Sequence, residues 1–316
     1  MSKSIVIGAN GQIGTELVDA LVAKFGANQV VAADIREDAN RNDIVYEQLD
    51  VLNRDRLFEI ITKHNIEHVY LLAALLSATS EQKPLLAWDI NMKGLLNVLE
   101  LAKEGLVKQI FWPSSIAVFG PSSPKDNTPQ DCIMDPNTVY GISKLAGERW
   151  CQYYFDKYNV DVRSIRYPGL ISYKTMPGGG TTDYAVAIFH EAIEKGKYTS
   201  YLSENSYLPM MYMDDAIQAT LSIMDSSVDN IKVRSSYNIG GISFSPKEIA
   251  SEIQKYLPDF NIAYESDFRQ KIADSWPSSI NDNAAKSDWG FNSTVDLEEL
   301  TKIMLENIQA RKEKKV

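Results

Sequence analysis

The chain has 316 residues, 44% of them hydrophobic, which is enough for a large buried core and about two domains. Its 32 basic side chains (Lys and Arg) and 42 acidic ones (Asp and Glu) give a net charge of −10, so we expect no binding to nucleic acid or to an anionic membrane. No apolar run reaches the roughly 18 residues that a membrane span needs. A strand predicted to start at Ser4 leaves no room for a signal or transit peptide, and we expect a cytoplasmic protein.

The first half of the chain alternates two kinds of hydrophobic pattern. Apolar runs typical of strands occur at Ser4–Ile7, Gln29–Ala33, Val45–Leu49, His68–Ala73, Gln109–Trp112 and Asp161–Tyr167. Amphipathic stretches typical of helices occur at Gln12–Phe25, Asp55–Lys63, Trp88–Glu104 and Thr138–Tyr158. Apolar strands that alternate with helices predict an α/β fold, with βαβ units and a doubly wound parallel sheet covered on both faces.

The second half breaks this alternation. Its first segment, Met176–Thr182, has the glycine-rich composition of a loop and is followed by a predicted helix at Asp183–Lys195. Ser245-Pro246-Lys247-Glu248 is typical of a helix start, with Ser245 as the N-cap residue. Tyr237–Gly240 is predicted to be a late strand that returns to the main sheet.

Cysteine and histidine residues indicate neither a disulfide framework nor a metal site. The two cysteines, Cys132 and Cys151, form no CxxC pair. His64 and His68 have a spacing that binds metal on a helix, but Asn65 and the apolar run after His68 indicate a loop that enters a strand. We therefore predict no metal ligands.

Three glycines lie between the first predicted strand and the first predicted helix. Gly8, Gly11 and Gly14 form a G-x-x-G-x-x-G motif at this junction. Glycine lets the backbone come close to a pyrophosphate, and the start of a helix offers free N–H groups and a favourable dipole. The motif therefore predicts a dinucleotide-binding site.

The acidic residue after the second strand indicates which dinucleotide binds. Asp34 lies 20 residues beyond Gly14, where a carboxylate can accept both ribose hydroxyls of adenosine and repel a 2′-phosphate. This favours NAD over NADP, although Arg36 could in principle neutralise a phosphate, and Asp34 could instead cap a turn. Asp50, which ends the third strand, could meet the adenine amino group.

A tyrosine and a lysine stand four residues apart in the predicted helix Thr138–Tyr158. Tyr140 and Lys144 form a Y-x-x-x-K pair on one helix face. A nearby ammonium lowers the pKa of a phenol, which makes tyrosine a usable base for an alcohol. Ser115 follows the fifth strand, where its hydroxyl could bond the reacting oxygen or simply cap a turn. The pair predicts an NAD-dependent oxidoreductase with Tyr140 as the base.

These features together predict a Rossmann-type NAD-binding domain over residues 1–170, with a return strand near 235–241. A smaller C-terminal α/β domain over residues 171–316 is predicted to bind the substrate. The boundary is set by the change in pattern near residue 170.

The chain resembles the extended short-chain dehydrogenase/reductase family over essentially its whole length. The matching residues, in the family's order, are Gly8–Gly14, Asp34, Asp50-Val51, Ala73-Ala74, Asn91, Ser115, Tyr140, Lys144, Tyr167-Pro168-Gly169 and Met211–Asp215. In that family a serine and a tyrosine flank the reacting carbon, a lysine holds the nicotinamide ribose and an asparagine supports the active-site helix. The resemblance implies catalytic roles for Ser115, Tyr140, Lys144 and Asn91. It also implies NAD contacts for Gly8, Asn10, Gly11, Gln12, Ile13, Asp34, Ile35, Arg36, Asp50, Val51, Leu72, Ala73, Ala74, Asn91, Tyr140, Lys144, Tyr167 and Leu170.

Within that family, three segments resemble the L-threonine 3-dehydrogenases: Leu75–Glu81, Gly178–Tyr184 and Trp276-Pro277. Ser80 stands where that subgroup suggests a glycine, and Phe119 where the wider family usually has a tyrosine. The implied reaction is oxidation of the C3 hydroxyl of L-threonine to 2-amino-3-ketobutyrate, with hydride transfer to NAD. The implied substrate residues are Ser77, Ser115, Tyr140, Gly180, Thr181, Thr182 and Trp276.

The chemistry of an amino acid fits these residues. Thr181, Thr182 and the neighbouring glycine N–H groups could donate to its carboxylate, and Ser77 could reach the carboxylate or the amine. The alternative for this segment is an ordinary connecting loop, and the alternative for Trp276 is a core aromatic residue.

Two other functions and the oligomeric state remain open. A nucleotide-sugar 4-epimerase or dehydratase shares the Tyr/Lys pair but must grip a diphosphate, and no arginine occurs between Ile171 and Met213. A redox-inactive NAD-binding protein typically lacks the tyrosine or the lysine. Relatives often form homodimers through the helices at about 88–104 and 138–158. Trp150, Tyr153 and Tyr154 could serve that interface or face the monomer core.

Overall fold

The computed structural model describes residues 3–38, 41–176 and 178–314, so Pro177 of the predicted loop lies outside the described residues. Its strands are β1 (Lys3–Ile7), β2 (Val30–Asp34), β3 (Val45–Gln48), β4 (Ile66–Leu71), β5 (Gln109–Phe111), β6 (Ser114–Ser115), β7 (Asp161–Arg163), β8 (Ile165–Tyr167), β9 (Gly169–Ile171), β10 (Lys197–Ser200), β11 (Leu208–Tyr212), β12 (Tyr237–Asn238), β13 (Ile242–Phe244) and β14 (Asn261–Tyr264). Its helices are α1 (Gln12–Phe25), α2 (Arg54–His64), α3 (Ser77–Gln82), α4 (Pro84–Trp88), α5 (Gly94–Lys103), α6 (Val139–Tyr158), α7 (Tyr184–Lys195), α8 (Met213–Asp225), α9 (Pro246–Tyr256), α10 (Phe268–Ser275), α11 (Asn283–Trp289) and α12 (Leu297–Glu313).

The central sheet has six parallel strands in the order β3-β2-β1-β4-β5-β7. The order reverses between β1 and β4, which opens a crevice at the carboxyl ends of the strands. Apolar clusters cover both faces of this sheet: one joins β1 to α1 and α8, and the other joins it to α2, α5 and α6. The predicted Rossmann-type α/β fold is confirmed.

The predicted strand Asp161–Tyr167 is wrong as one element, because the chain changes sheets at Ser164. β7 ends the central sheet, whereas β8 joins a second parallel sheet of order β12-β8-β6. The Ser164 carbonyl accepts a hydrogen bond from the Tyr237 N–H at 3.0 Å, so the chain leaves one partner for another without losing backbone pairing. A strand, β12, is present near Tyr237 as predicted, but it pairs with β8 in this second sheet and not with the central sheet, so the predicted return to the main sheet is wrong.

Two small sheets complete the C-terminal half. In one, β11 pairs in parallel with β9 and antiparallel with β13. In the other, β10 pairs in parallel with β14. The segment between β9 and α7 lies beside the carboxyl edge of the central sheet, where Thr181 meets Ser77.

Local signals explain most helix boundaries. Thr138 accepts a hydrogen bond from the Gly141 N–H at 3.1 Å and so caps α6, and Ser245 with Glu248 forms a capping box at α9. The predicted helix Trp88–Glu104 begins earlier, because Pro84 occupies the first turn of α4 and a π-helical turn, Asp89–Lys93, continues the chain into α5.

Within the described ranges, no helix is both long and apolar enough to cross a membrane. The same residues contain no group of three or more side chains able to hold a metal ion. His64 ends α2 and pairs with Glu47, whereas His68 lies in β4.

Candidate active site at the carboxyl edge of the central sheet

The glycine motif forms a tight cradle between β1 and α1. A Cβ atom added at Gly14 would collide with the Gly8 carbonyl oxygen, so only glycine allows this turn. Gly11, the N-cap residue of α1, has no side chain to satisfy the free N–H groups of the first turn. The Gln12 Nε2 atom beside them is buried and has no partner in the described chain. An anionic group such as a pyrophosphate would satisfy these donors.

Asp34 lies at the end of β2 with its carboxylate facing the cradle. One oxygen accepts a hydrogen bond from the Asn10 N–H at 3.0 Å, and the other accepts one from the Arg36 N–H at 3.3 Å. The carboxylate is buried, whereas Ile35 and Arg36 are exposed. The Asn10 side chain donates to Asp38 and Tyr46, so it holds the loop after β2 and only its backbone faces a cofactor.

The turns after β3 and β4 line the same edge. Asp50 accepts a hydrogen bond from the Leu52 N–H at 2.9 Å, so its carboxylate caps this turn. Val51 is buried. Leu72, Ala73 and Ala74 follow β4 and are half-buried, in line with a wall beside the glycine cradle.

The base predicted from sequence meets the predicted serine. Tyr140 is the second residue of α6, and its hydroxyl is hydrogen-bonded by the Ser115 side chain. Gly141 makes this contact possible, because a Cβ atom there would collide with the Ala117 carbonyl oxygen. Ser115 also accepts the Ala117 N–H at 3.2 Å, so it is both a cap and a neighbour of Tyr140.

Burial controls the protonation of the Tyr/Lys pair. It raises the pKa of Tyr140 to about 12, although the hydrogen bond from Ser115 acts in the opposite direction. It lowers the pKa of Lys144 to about 7. The expected lowering of the tyrosine pKa is therefore wrong for this structure, because the desolvation of the buried phenol outweighs the hydrogen bond from Ser115.

The Lys144 ammonium is placed by α6 and by the turn after β5. Its Nζ donates to the Pro113 carbonyl at 2.6 Å and lies 5.5 Å from the centroid of the Tyr140 ring. It also lies 4.5 Å from the centroid of the Trp112 ring. The lysine thus sits beneath the tyrosine, between the helix and the strand end.

Asn91 connects the loop after β4 to α6. Its Oδ1 accepts from the Leu75 N–H at 2.9 Å, and its Nδ2 donates to the Ser143 hydroxyl at 3.1 Å. Ser143 in turn donates to the Tyr140 carbonyl at 2.8 Å. This chain of bonds supports the helix turn that carries the tyrosine, and it leaves Asn91 as a positioning residue.

Ser77 and Thr181, 104 residues apart, meet at the start of α3. Their hydroxyl oxygens are 3.1 Å apart, and the Thr181 N–H donates to the Ser77 hydroxyl at 3.1 Å. Both residues are buried. The two segments that resembled the same subgroup are therefore brought together in space.

Other predicted substrate residues are used differently from what we expected. The Gly179 and Gly180 N–H groups donate to the Asp183 carboxylate at 2.9 and 2.7 Å, so they are not free donors for a ligand. Thr182 packs against Gly169. Trp276 is 6% exposed and belongs to the apolar cluster that contains Tyr140, so the description of a core aromatic applies to it.

The side chain of Tyr167 is also used within the protein. Its ring packs against Phe111, and its hydroxyl bonds Thr220 of α8. Only its backbone remains for a cofactor. Leu170 in β9 is half-buried against the apolar cluster that contains Phe111 and Tyr167.

Sequence reasoning missed a buried ion pair beneath the site. Glu148 and Arg166 form two hydrogen bonds at 2.9 and 2.8 Å, and Glu148 also accepts the Ser114 hydroxyl at 2.6 Å. This network anchors the strand that carries Ser115 to α6. Glu148 lies four residues beyond Lys144, so the helical spacing would have placed it on the same face.

Comparison with known proteins decides the family. The model of the NAD dependent epimerase/dehydratase family matches residues 4–240. The chain belongs to this family. An uncharacterized epimerase/dehydratase of Staphylococcus haemolyticus is 48% identical to this chain, with 100% of both chains covered. The predicted extended short-chain dehydrogenase/reductase resemblance and the predicted NAD cofactor are confirmed.

Two solved structures are similar along nearly the whole chain. One is a GalE-like L-threonine dehydrogenase from Cupriavidus necator in its holo form, with 51% identity, a TM-score of 0.95, and 97% of this chain and 99% of that chain covered. The other is a monomeric L-threonine 3-dehydrogenase from a metagenome sequence, with 48% identity, a TM-score of 0.95, and 98% and 99% covered. The chain is thus an NAD-dependent enzyme of the family, with structural relatives that act on threonine.

Proposed function

We propose that this enzyme oxidises the C3 hydroxyl of L-threonine to 2-amino-3-ketobutyrate. The observation that carries the proposal is the contact between Ser77 and Thr181, which places two buried hydroxyl groups together. Hydroxyl groups of this kind can bind a small zwitterion, and the similar structures of L-threonine dehydrogenases support this substrate.

The residues of the chain have distinct roles in this reaction. Tyr140 takes the hydroxyl proton as the C3–H bond breaks, and Ser115 orients the oxygen. Lys144 lies beneath the tyrosine, where its charge would stabilise the phenolate. When bound, NAD supplies the hydride acceptor and a cationic ring that favours the ionised form of a nearby phenol. Asp34 is the proposed acceptor for the adenosine ribose hydroxyls.

The nucleotide-sugar epimerase alternative is weakened by the arginines after β8. Arg234 pairs with Asp161, Arg269 pairs with Asp267, and Arg311 donates to the backbone after β9. These are the three arginines that follow Tyr167, and each is bonded within the chain. A diphosphate would therefore have to compete with existing partners.

Substrate and cofactor can be tested in one panel. The purified enzyme is incubated with L-threonine, L-allo-threonine, 3-hydroxybutyrate or UDP-glucose, each with NAD or NADP, and the reduced cofactor is followed by absorbance. We expect turnover with L-threonine and NAD, and a large preference over NADP because Asp34 repels a 2′-phosphate. Turnover of UDP-glucose without release of NADH would contradict the proposal and support an epimerase. Comparable kcat/KM values with NADP would contradict the role of Asp34.

Two expectations about organisation stay predictions. We include in the proposed function the division into an NAD-binding part (residues 1–170) and a substrate-binding part (residues 171–316). A homodimer through α5 and α6 is compatible with Trp150 and Tyr153, which are exposed, whereas Tyr154 is buried and bonds Glu100.

A further inference from the structure

Tyr201 contacts the proposed amino-acid pocket from outside it. It follows β10, and its hydroxyl donates to the Thr181 carbonyl at 3.2 Å. The backbone N–H of Tyr184, the first residue of α7, bonds the same hydroxyl and opposes the rise that burial causes in the pKa of Tyr201. One phenol thus links the loop before α7 to the start of that helix.

The Tyr201 ring is held on two sides. The Arg269 guanidinium carbon lies 3.1 Å from the ring centroid, and Arg269 is itself fixed by Asp267 at the start of α10. The ring of Tyr184 meets Tyr201 edge-on, with centroids 6.4 Å apart. A guanidinium stacked on a ring and an edge contact both restrict ring rotation. The hydroxyl of Tyr201 is therefore a fixed point rather than a mobile surface group.

Thr181 depends on this fixed point for its orientation. Its N–H and its hydroxyl both face Ser77, and its carbonyl is the acceptor for Tyr201. All the polar groups of Thr181 are therefore partnered, and the residue is only 1% exposed. On the other side of the loop, Asp183 holds the Gly179 and Gly180 N–H groups. Without the Tyr201 hydroxyl, Thr181 would keep its contacts with Ser77, but its carbonyl would lose the hydrogen bond that holds it.

We propose that Tyr201 is a positioning residue that sets the binding of the amino-acid substrate by orienting Thr181. This inference rests on the proposed function, because it assigns Thr181 to the substrate pocket. Tyr201 touches neither Tyr140 nor the glycine cradle among the contacts of the described residues, so its effect should fall on substrate binding. Its loss should leave the chemical step and the binding of NAD unchanged.

The test compares Tyr201→Phe with the matched variant Tyr198→Phe. Tyr198 lies three residues earlier in the same segment, is buried, and makes no hydrogen bond through its hydroxyl to any described residue. Loss of one hydrogen bond predicts that Tyr201→Phe raises the KM for L-threonine about three- to tenfold. The values of kcat and of the KM for NAD should stay within about twofold of wild type. Tyr198→Phe should leave all three constants within the same limit.

A second measurement separates this inference from the proposed function. Hydrogen exchange of the Thr181 amide, followed without substrate, should be faster in Tyr201→Phe than in wild type and unchanged in Tyr198→Phe. An unchanged KM for L-threonine in an active enzyme would overturn the inference, and so would a parallel loss of kcat and NAD binding. If wild type does not oxidise L-threonine, the proposed function fails. The exchange rate then still decides the link between Tyr201 and Thr181, and an unchanged rate overturns it.

Discussion

The turn that carries Tyr140 and the loop that carries Thr181 are both ordered, but by different means. Tyr140 reaches Ser115 because α6 approaches the backbone after β6 closely, which Gly141 permits. Thr181 is oriented by side chains, since Ser77, Asp183 and Tyr201 supply hydrogen bonds around the loop. The groups proposed for the chemical step thus depend on a close backbone approach in addition to the hydrogen bonds from Asn91 and Ser143, whereas those proposed for recognition depend on side-chain hydrogen bonds.

This difference has a physical consequence for mutation. Where two backbone segments are too close for a Cβ atom, the clash of an added Cβ atom cannot be relieved by rotating a side chain. A substitution there therefore displaces the helix. A hydrogen bond that is lost from a loop costs little and leaves the surrounding packing intact. We therefore expect the first region to control kcat and the second to control the KM for the amino acid.

The largest effect should come from removing the base. Tyr140→Phe should lower kcat about 10²- to 10⁴-fold, the usual contribution of general-base catalysis, and leave the Kd for NAD nearly unchanged. Steady-state kinetics and a fluorescence titration with NADH measure the two quantities. Tyr153→Phe, an exposed tyrosine of the same helix, is the control and should be fully active. Full activity of Tyr140→Phe would remove the basis of the proposed chemistry.

A pair of glycine substitutions tests the contrast between the two regions directly. Gly141→Ala should lower kcat about tenfold or more, because its Cβ atom would push α6 away from the Ala117 carbonyl and separate Tyr140 from Ser115. Gly178→Ala should change the KM for L-threonine less than about threefold, since its Cβ atom would meet only Leu76 at 3.5 Å. If both variants lost kcat/KM for L-threonine to the same extent, the proposed difference between the two regions would be contradicted.

The smallest effect concerns the contribution of Lys144, which lies beneath Tyr140, to the pH dependence of the protein's stability. Burial lowers the pKa of Lys144 from 10.5 to about 7, whereas the unfolded chain keeps the ordinary value. Between these two values the unfolded state binds more protons, so the free energy of unfolding should rise with pH from 7 toward 10. Urea denaturation should show a larger rise in wild type than in Lys144→Met. The same slope in both proteins would contradict the burial of this amine.

Much of the nucleotide-binding half could be predicted because its signals are local. The strand–glycine–helix junction at Gly8–Gly14 and the four-residue spacing of Tyr140 and Lys144 depend only on neighbours in the chain. The predicted start and end of the helix Gln12–Phe25 agree with α1. The break at Ser164 could not be predicted, because a continuous apolar run does not show that its two halves pair with different strands.

The roles of individual side chains were less predictable. Asn10, Tyr167 and Gly180 stand at the positions that the resemblance marks, yet their polar groups are used by Tyr46, Thr220 and Asp183. Each of these partners is set by packing between separate elements or by a local turn. A motif specifies which residue types reach the site, but the competition for their hydrogen bonds is decided in three dimensions.

The sequence by itself determined the alternation of strands and helices, the nucleotide cradle and the Tyr/Lys pair, since periodicity and short spacings carry that information. Only the tertiary structure decided that Ser77 meets Thr181 across 104 residues and that Tyr201 is stacked beneath Arg269. It also decided that burial raises the pKa of Tyr140 rather than lowering it. Desolvation and long-range contacts depend on which distant segments pack together, and no local pattern in the chain specifies them.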